Sequence, residues 1–434
     1  MSNYKPSKYN ILLDKKEPYL LFNSVGLSLA KIEKDKIGSI EKLLSCEKIE
    51  DVRDHDLFKK LVSSRFIIPA EFDELNYLKL AYYKTKFSTD ILELVIFVTK
   101  ACNFKCSYCF ENTDSSEYIT NERIARIVKF TEERVKKADA LSINWFGGEP
   151  LMRFGVIEEL TKHFMQLCEK YSCQYAACLT TNGYLLKPKI ADQFPKLKIE
   201  NIQTTLDGPR DIHNQRRMLR GKGETYDAII NNLRYIVKKN IPITINLRCN
   251  VDKENLKYVK DWVEKFPEDL KAKVHIHFAI TVSGGEEGCP AFSRKDFSID
   301  AEDGGLLLPR LTSVAADAGF VLDFELQRKN VYCNRDKANQ FLIGADLSLM
   351  ACPVGIDKIG YIDENGEANL DLAKHVKWLS KDPFEDDECK GCKLLPLCFG
   401  GCNLARAISG VKACNPVKHN LEDWIRLVYK AKII

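Results

Sequence analysis

Three cysteines on one short segment constrain this chain more than any other feature. Cys102, Cys106 and Cys109 have the spacing C-x3-C-x2-C, and they follow an apolar run at 92–98. Three thiolates on one loop can hold three irons of a 4Fe–4S cluster and leave the fourth iron open for an outside ligand. A zinc site would need a fourth protein ligand nearby, and 110–129 contains no further Cys or His. We therefore expect this loop to hold an iron–sulfur cluster with one open iron.

A glycine-rich turn follows the next apolar run along the chain. The run at 141–146 ends in Gly147-Gly148-Glu149-Pro150. Glycines that follow a strand allow the backbone to approach a ligand closely. An ordinary strand-to-helix turn could have the same sequence, so the motif alone leaves both interpretations open.

Apolar strands alternate with helical segments from 92 to 280. The pattern predicts strands at 92–98, 140–145, 174–179, 199–205, 243–249 and 274–280, with helices at 121–137, 154–171, 188–193, 224–239 and 253–265. Six consecutive strand–helix units imply a parallel sheet with right-handed crossovers. The carboxyl ends of such strands are where a parallel barrel places its ligand-binding groups.

The cysteine triad, followed one strand–helix unit later by Gly-Gly-Glu-Pro, resembles the signature of the radical S-adenosylmethionine (radical SAM) superfamily. The resemblance implies an α/β fold with a partial (β/α)6 barrel. It also implies that S-adenosylmethionine binds the open iron and is cleaved by one electron to a 5′-deoxyadenosyl radical. By this resemblance the cofactor-binding residues are Tyr108 at the adenine, Gly147, Gly148, Glu149 and Pro150 at the methionine ammonium, Thr181 and Asn182 at the ribose, and Arg216 and Arg217 at the methionine carboxylate.

Each of these assignments has a plainer alternative. Tyr108 could be a packing aromatic, Asn182-Gly183 only a turn, and the two arginines a solvated face. Asp207 begins a strong turn signal, Asp-Gly-Pro, and could merely cap that turn. Related sulfatase-maturing enzymes have a catalytic carboxylate in this part of the barrel, so Asp207 is also a candidate catalytic base.

A second cysteine array lies near the C-terminus. Four of its members have the spacing C-x2-C-x5-C-x3-C, which in isolation would also suit zinc. Downstream of the triad, the array resembles the SPASM extension of radical SAM peptide-modifying enzymes, which holds two auxiliary 4Fe–4S clusters. By this resemblance the distal cluster takes Cys389, Cys392, Cys398 and Cys414, and the nearer cluster takes Cys333, Cys352 and Cys402.

The array departs from the family pattern in two ways. Seven residues separate Gly344 from Cys352, where the family usually has four. Two complete clusters also need eight thiolates, and the array supplies seven. Either one auxiliary iron stays open or another residue completes the set. Cys289 is the nearest candidate, unless it is a loop thiol with no ligand role.

The first hundred residues predict a separate module. Apolar segments at 9–13, 19–23 and 27–32 precede helical stretches at 37–44, 57–64 and 71–84. This pattern matches a winged-helix-like module and resembles the element with which peptide maturases bind a precursor's leader as an added strand. A cap without a ligand is the alternative. The predicted domains are therefore the module at 1–88, the barrel at 89–285, a bridge at 286–329 and the SPASM domain at 330–434.

Composition narrows the class of partner and the compartment. The net charge is +4 with both signs mixed, which is too mild to suggest nucleic acid. No apolar run approaches the ~20 residues that span a bilayer, and the N-terminus lacks a signal-peptide pattern. We therefore expect a cytoplasmic protein. Its 16 cysteines then indicate metal binding rather than disulfides.

The leading functional hypothesis is a radical SAM/SPASM maturase that cross-links a ribosomally synthesised precursor peptide through a thioether, C–C or C–O bond. Its implied partners are a leader-bearing precursor and a low-potential electron donor such as flavodoxin or ferredoxin. One alternative is an anaerobic sulfatase-maturing type of enzyme that makes formylglycine. The other is a non-catalytic iron–sulfur or zinc protein that binds peptides.

Overall fold

The computed structural model describes residues 3–49, 55–109, 111, 113–281, 298–322, 326–327, 329–354, 358–404, 406, 412 and 414–431. Cys289 lies outside these residues. The strands are β1 Tyr4–Pro6, β2 Asn10–Leu13, β3 Tyr19–Asn23, β4 Ser28–Ile32, β5 Ile67–Pro69, β6 Ile91–Phe97, β7 Phe104–Cys106, β8 Ala140–Phe146, β9 Gln174–Thr180, β10 Ile199–Thr205, β11 Arg217–Leu219, β12 Thr244–Val251, β13 Val274–Ile280, β14 Val321–Leu322, β15 Gln340–Ile343, β16 Ser348–Met350, β17 Lys358–Ile362 and β18 Ala368–Leu370.

The α-helices that can be described are α1 Ile37–Leu44, α2 His55–Ser63, α3 Glu74–Phe87, α4 Asn121–Val135, α5 Phe154–Tyr171, α6 Pro188–Ala191, α7 Arg210–Arg216, α8 Tyr226–Lys238, α9 Leu256–Glu264, α10 Glu268–Lys271, α11 Ala301–Asp317, α12 Leu372–Leu379, α13 Asp387–Gly391, α14 Leu395–Cys398 and α15 Leu421–Ala431. Short 3-10 helices lie at Lys34–Lys36, Pro150–Arg153, Asn334–Asp336 and Pro416–His419. None of the described helices is long and apolar enough to cross a lipid bilayer.

Six parallel strands form the centre of the molecule. They are β6, β8, β9, β10, β12 and β13, and each pairs with the strand that precedes it in this order. Helices connect them, as expected for parallel strands, which need a crossover between neighbours. The predicted α/β fold with six strand–helix units is confirmed, and the predicted strand bounds agree to within two residues.

Alternating side chains give the two faces of this sheet different chemistry. On β8, Leu141, Ile143 and Trp145 are fully buried and belong to the core that the helices cover. Ser142 and Asn144 lie between them in sequence and point to the opposite face, because successive side chains of a strand alternate. The face away from the helices is the lumen of the partial barrel, and it is largely polar.

The sheet extends beyond the barrel strands at both edges. β14 adds in parallel to β13, and β15 adds in parallel to β6. Strands β16, β17 and β18 continue from β15 as antiparallel hairpins. Asn365 and Gly366 lie in the turn between β17 and β18. Because β6 and β13 lie inside a sheet of eleven described strands and do not pair with each other, the barrel stays open.

The N-terminal strands pack on both of their faces. Antiparallel strands β2, β3 and β4 form one small sheet, and β1 pairs with β5. On one face, Leu21 packs with Ile40 and Phe66 of the N-terminal segment itself. On the other face, Phe22 shares a core with Trp424 of α15. The N-terminal elements therefore match the predicted order, but they share a hydrophobic core with the C-terminal region.

Candidate functional site

The cysteine loop is fixed to the barrel by a pairing that the sequence did not predict. Strand β7, which contains Cys106, pairs antiparallel with β11, so that Arg217 lies opposite Cys106. Arg220 continues the contact, with its backbone N–H donating to Asn103 at 2.9 Å and its Nε donating to the Cys102 carbonyl at 2.7 Å. Two three-residue strands have no periodicity that could reveal this pairing in advance.

The three cysteines of the triad belong to one tightly turned loop, in which the Cys109 N–H donates to the Cys106 carbonyl at 3.3 Å and the Phe104 N–H donates to the Cys102 sulfur at 3.3 Å. Burial raises the pKa of Cys102 to about 12, and the thiolates of Cys106 and Cys109 raise it further. Burial likewise raises the pKa of Cys109 to about 11, again with a contribution from Cys106. Thiols that raise each other's pKa bind metal with release of protons. Their proximity fits a cluster held by three cysteines.

Gly148 brings the second motif directly against the cysteine loop. Its backbone N–H donates to Thr99 at 3.0 Å, and the N–H of Glu149 donates to Ala101 at 2.9 Å. A Cβ atom at Gly148 would lie 2.4 Å from the Ala101 carbonyl oxygen and 2.5 Å from that of Lys100. Only glycine permits this approach, so the Gly-Gly sequence is required by backbone contact.

The Glu149 side chain is fully buried and ties two loops together. Its carboxylate accepts hydrogen bonds from the Leu151 N–H at 3.0 Å, the Thr181 hydroxyl at 2.8 Å and the Asn182 N–H at 2.7 Å. Burial raises its pKa to about 7, against the opposing effect of these bonds. Pro150, also buried, begins the 3-10 helix that follows. These contacts give Glu149 a positioning role at the end of β9.

The two residues predicted at the ribose are engaged within the protein. The Thr181 hydroxyl donates to Glu149 and accepts from the Gly183 N–H at 3.1 Å. The Asn182 amide donates to Asn103 at 2.8 Å and lies 3.8 Å from the Cys102 sulfur. Asn182 therefore supports the cysteine loop directly. The ribose assignment remains a prediction, whereas these contacts support a structural role for both residues.

Tyr108 lies at the centre of a buried polar network. Its hydroxyl donates a very short hydrogen bond to Asp207. It accepts hydrogen bonds from Arg217 at 2.6 Å and from the Asn250 side chain at 3.1 Å. The Asp207 side chain is fully buried, and its other oxygen accepts the Asn250 N–H at 2.9 Å. Asp207 therefore holds Tyr108 and β12 in place, and a role as catalytic base stays a prediction.

The two predicted arginines are buried, so the alternative of a solvated face is wrong for both. Arg216 forms two hydrogen bonds with Asp252, at 2.6 and 3.0 Å. Arg217 reaches Tyr108 with one nitrogen, while its Nε atom has no partner among the described groups. Burial lowers the pKa of Arg217, but the charges of Cys106, Tyr108 and Asp207 raise it well above its usual range. This permanently charged group is suited to an anionic ligand such as a carboxylate.

Four cysteines of the C-terminal array line one cavity. They are Cys389, Cys392, Cys398 and Cys414, the set predicted for the distal cluster, and the same cavity is lined by Lys412 and Lys418. Helix α13 supplies Cys389, whose N–H donates to the Asp386 cap, and α14 ends at Cys398. The structure therefore brings these four thiols together from separate turns of chain, with cations beside them.

The remaining three cysteines form a second group at the amino ends of the barrel strands. Burial raises the pKa of Cys352 to about 11, with further contributions from Cys402 and Cys333. Burial lowers the pKa of Arg335, two residues after Cys333, against the opposing charges of Cys333, Glu93, Cys352 and Cys178. Glu93 and Cys178 belong to the lumen face of β6 and β9. Arg335 therefore links this cysteine group to the lumen, and the sequence analysis did not identify it.

The arrangement of the cysteine thiols can be compared with what zinc and iron–sulfur clusters require. Within the described part of the chain, no three His, Cys, Asp or Glu side chains are placed to hold a single metal ion. Zinc gathers four donors about one ion, whereas a 4Fe–4S cluster takes one thiolate at each iron. The four thiols that line the distal cavity therefore fit one iron–sulfur cluster.

Comparison with known proteins agrees with this geometry. Residues 96–266, which span β6 to the end of α9, match the family model of the Radical SAM superfamily. This chain carries a radical SAM domain. The domain contains the triad, the Gly-Gly-Glu-Pro turn and Tyr108, and its cofactors are a 4Fe–4S cluster and S-adenosylmethionine, as predicted.

Relatives of this radical SAM chain extend beyond that domain. It is 22% identical to the radical SAM cyclopropyl synthase TigE of Paramaledivibacter caminithermalis, over 91% of this chain and 89% of that protein. It is 26% identical to a cysteine-type anaerobic sulfatase-maturating enzyme of Clostridium perfringens, over 71% of this chain and 87% of that one. A solved structure, native anSMEcpe with bound AdoMet and Cp18Cys peptide, has a TM-score of 0.60 at 21% identity and covers 79% of this chain and 98% of its own.

These relationships confirm the family and fold predicted from the sequence. The chain carries a radical SAM domain and is related in sequence to a radical SAM cyclopropyl synthase and to a sulfatase-maturating enzyme. Its predicted domain boundaries and the roles of individual site residues stay predictions. The sequence analysis gave no role to Asn103, although it lies inside the triad motif. It missed Arg220, Asn250, Asp252 and Arg335, because tertiary contacts bring these four to the site and no motif marks them.

Proposed function

We propose that this radical SAM enzyme modifies a ribosomally synthesised precursor peptide by hydrogen abstraction and cross-link formation. One observation carries the proposal: two groups of cysteines lie at opposite ends of the polar lumen. The triad follows β6 at the carboxyl ends of the barrel strands, whereas Cys333 precedes β15, which is parallel to β6, and Cys352 follows antiparallel β16, at their amino ends. When bound, a reduced 4Fe–4S cluster with S-adenosylmethionine supplies the radical that abstracts hydrogen.

The lumen has the composition expected of a peptide-binding surface. Asn144, Cys178, Asn201 and Thr244 are paired across β8, β9, β10 and β12 and form one layer. Neutral amides and hydroxyls can accept and donate hydrogen bonds to a peptide backbone without a net charge. The open side of the barrel leaves room for an extended chain to enter.

Closing a ring after hydrogen abstraction leaves one electron to be removed. A cluster on Cys333, Cys352 and Cys402 would stand at the opposite end of the lumen from the radical source, where it can accept that electron. Because this set has three thiolates, its fourth iron would be open unless another residue, such as Cys289, completes it. An open iron could bind a substrate thiol.

The N-terminal sheet supports recognition of a leader. Strand β4 lies at an edge of the β2–β3–β4 sheet, and an extended peptide can add to such an edge through backbone hydrogen bonds. A remote leader contact raises the effective concentration of the residue to be modified. The proposed partners are therefore a leader-bearing precursor and a low-potential flavodoxin or ferredoxin.

Anaerobic reconstitution is the first test. We expect about 12 irons per chain, falling to about 8 in a C102A/C106A/C109A variant that cannot make 5′-deoxyadenosine. Iron near 4 with bound zinc would contradict the auxiliary clusters. Failure of the intact enzyme to cleave S-adenosylmethionine would favour a non-catalytic protein.

Mass spectrometry of candidate precursors encoded beside the gene then tests the substrate. A cross-link removes two hydrogens and leaves no aldehyde. Formylglycine forms from serine by loss of two hydrogens, or from cysteine by loss of two hydrogens and exchange of sulfur for oxygen, and in both cases carries an aldehyde that a hydrazine probe labels. The same precursor without its leader is the control. Formylglycine on a sulfatase peptide, with no change to any precursor, would contradict the proposal and favour the relative from Clostridium perfringens as the guide to function.

A further inference from the structure

A very short link joins the two groups of auxiliary cysteines. Cys398 lines the distal cavity and Cys402 interacts with Cys333 and Cys352. Two of the intervening residues, Gly400 and Gly401, have φ angles of 82° and 76°, and Phe399 has φ 41°. Three consecutive left-handed residues keep the link compact, and glycine adopts this conformation readily.

The buried side chain of Lys381 is anchored to this link. Its Nζ donates a very short hydrogen bond to the Gly401 carbonyl, and its side chain is only 3% exposed. Burial lowers the pKa of Lys381, while Asp336 and the thiolates of Cys402 and Cys398 raise it. The Gly401 N–H donates to the Cys398 carbonyl at 3.0 Å, so the ammonium is held on the short link between one cysteine of each auxiliary group.

An equally buried anion completes the arrangement. The Asp336 Oδ2 atom lies 3.9 Å from the Lys381 ammonium and accepts the Cys333 N–H at 3.3 Å. The Asp336 side chain is 3% exposed. Helix α3 supports the pair from the N-terminal segment, because Lys86 donates to the Lys381 carbonyl at 2.7 Å and Tyr82 does so at 3.0 Å.

The charges of this pair cannot be screened by water. Charges in a buried environment interact far more strongly than charges at the surface, and the reduction potential of an iron–sulfur cluster depends on net charge and hydrogen bonding around it. A fixed cation favours the reduced form, which carries one more negative charge. A fixed anion has the opposite effect.

We propose that Lys381 is a positioning residue shared by both auxiliary clusters. Its positive charge raises their reduction potentials and so makes them better electron acceptors. Asp336 opposes this effect at the nearer cluster. The effect is larger for the cluster that Cys402 would hold, since Lys381 bonds the carbonyl of Gly401, directly before Cys402, and pairs with Asp336 at the Cys333 backbone. This inference rests on the auxiliary clusters and does not require that the substrate be a peptide.

Redox titration monitored by electron paramagnetic resonance tests it, without any peptide. The background is the C102A/C106A/C109A variant, in which only auxiliary clusters contribute signals. We expect Lys381→Met to lower both midpoint potentials, the nearer one more, and Lys381→Arg to restore most of the shift. Asp336→Asn should raise the potential of the nearer cluster. Iron content is measured for each variant.

Lys390 provides a matched control, since it follows Cys389 directly but pairs with exposed Asp387. Lys390→Met should leave both potentials unchanged, because water and salt screen an exposed charge. Wild-type potentials in an iron-replete Lys381→Met variant would overturn the inference, as would equal shifts in Lys390→Met. If the Lys381→Met variant does not retain its iron, the Asp336→Asn variant decides, and an unchanged reduction potential of its nearer cluster overturns the inference. Failure to find a peptide substrate would affect only the proposed function.

Discussion

The Glu149 carboxylate accepts a 2.7 Å hydrogen bond from the backbone N–H of Asn182 and so joins the end of β8 to the end of β9. Asn182 in turn donates to Asn103 inside the cysteine loop. The Gly-Gly-Glu-Pro turn, the Thr-Asn-Gly turn and the triad are therefore one connected unit. A substitution of Glu149 should therefore alter the position of the cysteine loop through these contacts.

Glu149 should make stability depend on pH. Burial raises its pKa in the folded protein from 4.5 to about 7, so between these values the folded state retains a proton that the unfolded state has lost. Stability therefore falls as pH rises from 4.5 to 7 and levels off above it, by up to about 3 kcal/mol. Glu149→Gln does not titrate. The unfolding free energies of the two proteins, measured in urea across this pH range, should differ by an amount that changes with pH. If the two free energies change with pH in parallel, the prediction is wrong.

Gly148→Ala should destabilise the fold strongly. The added methyl group would lie 2.4 Å from one carbonyl oxygen and 2.5 Å from another, and both belong to backbone. We expect a loss of about 3 kcal/mol or more, with weaker iron retention. Gly155→Ala is the control, since a Cβ there meets nothing within 4 Å and alanine favours the helix by about 0.5–1 kcal/mol. Equal thermal stability of the two variants would refute the close approach.

Arg216→Ala should cost far more stability than Arg210→Ala. The Arg216 side chain is 5% exposed and its partner Asp252 is 2% exposed, whereas Arg210 is 49% exposed. Removing one member of a buried pair leaves an uncompensated charge and costs about 3–5 kcal/mol. An exposed pair contributes at most about 1 kcal/mol. Urea unfolding of both variants checks this, and a similar small loss in each would show that Arg216 is solvated.

Phe22 and Trp424 share one hydrophobic core, so the N-terminal segment should contribute to the stability of the C-terminal region. Phe22→Ala should cost about 3–5 kcal/mol, and deletion of residues 1–88 should expose the C-terminal core to proteolysis. Leu80→Ala, at a side chain that is 69% exposed, should have little effect. Limited proteolysis near α15 reports the difference. A stable, protected deletion variant would mean that the module folds separately.

Much of the fold was predictable because its signals are local. Each barrel strand contains buried apolar residues, the longer barrel helices α4, α5, α8 and α9 have a periodic apolar face, and the predicted bounds of β10 and α5 match the structure. The addition of β15 in parallel to β6 was not predicted, because pairing between segments about 250 residues apart leaves no local pattern. The same holds for the pairing of β7 with β11.

The sequence by itself determined the class of chemistry, since cysteine spacing, a glycine turn and strand order are properties of short segments. Only the tertiary structure decided what the polar residues near the triad do. Burial removed Arg216, Arg217 and Asp207 from water, and a buried charge must find a partner, so these side chains became a network around Tyr108. Likewise, only the folded chain brought Lys381 between two groups of cysteines, because that position depends on packing among segments that are distant in sequence.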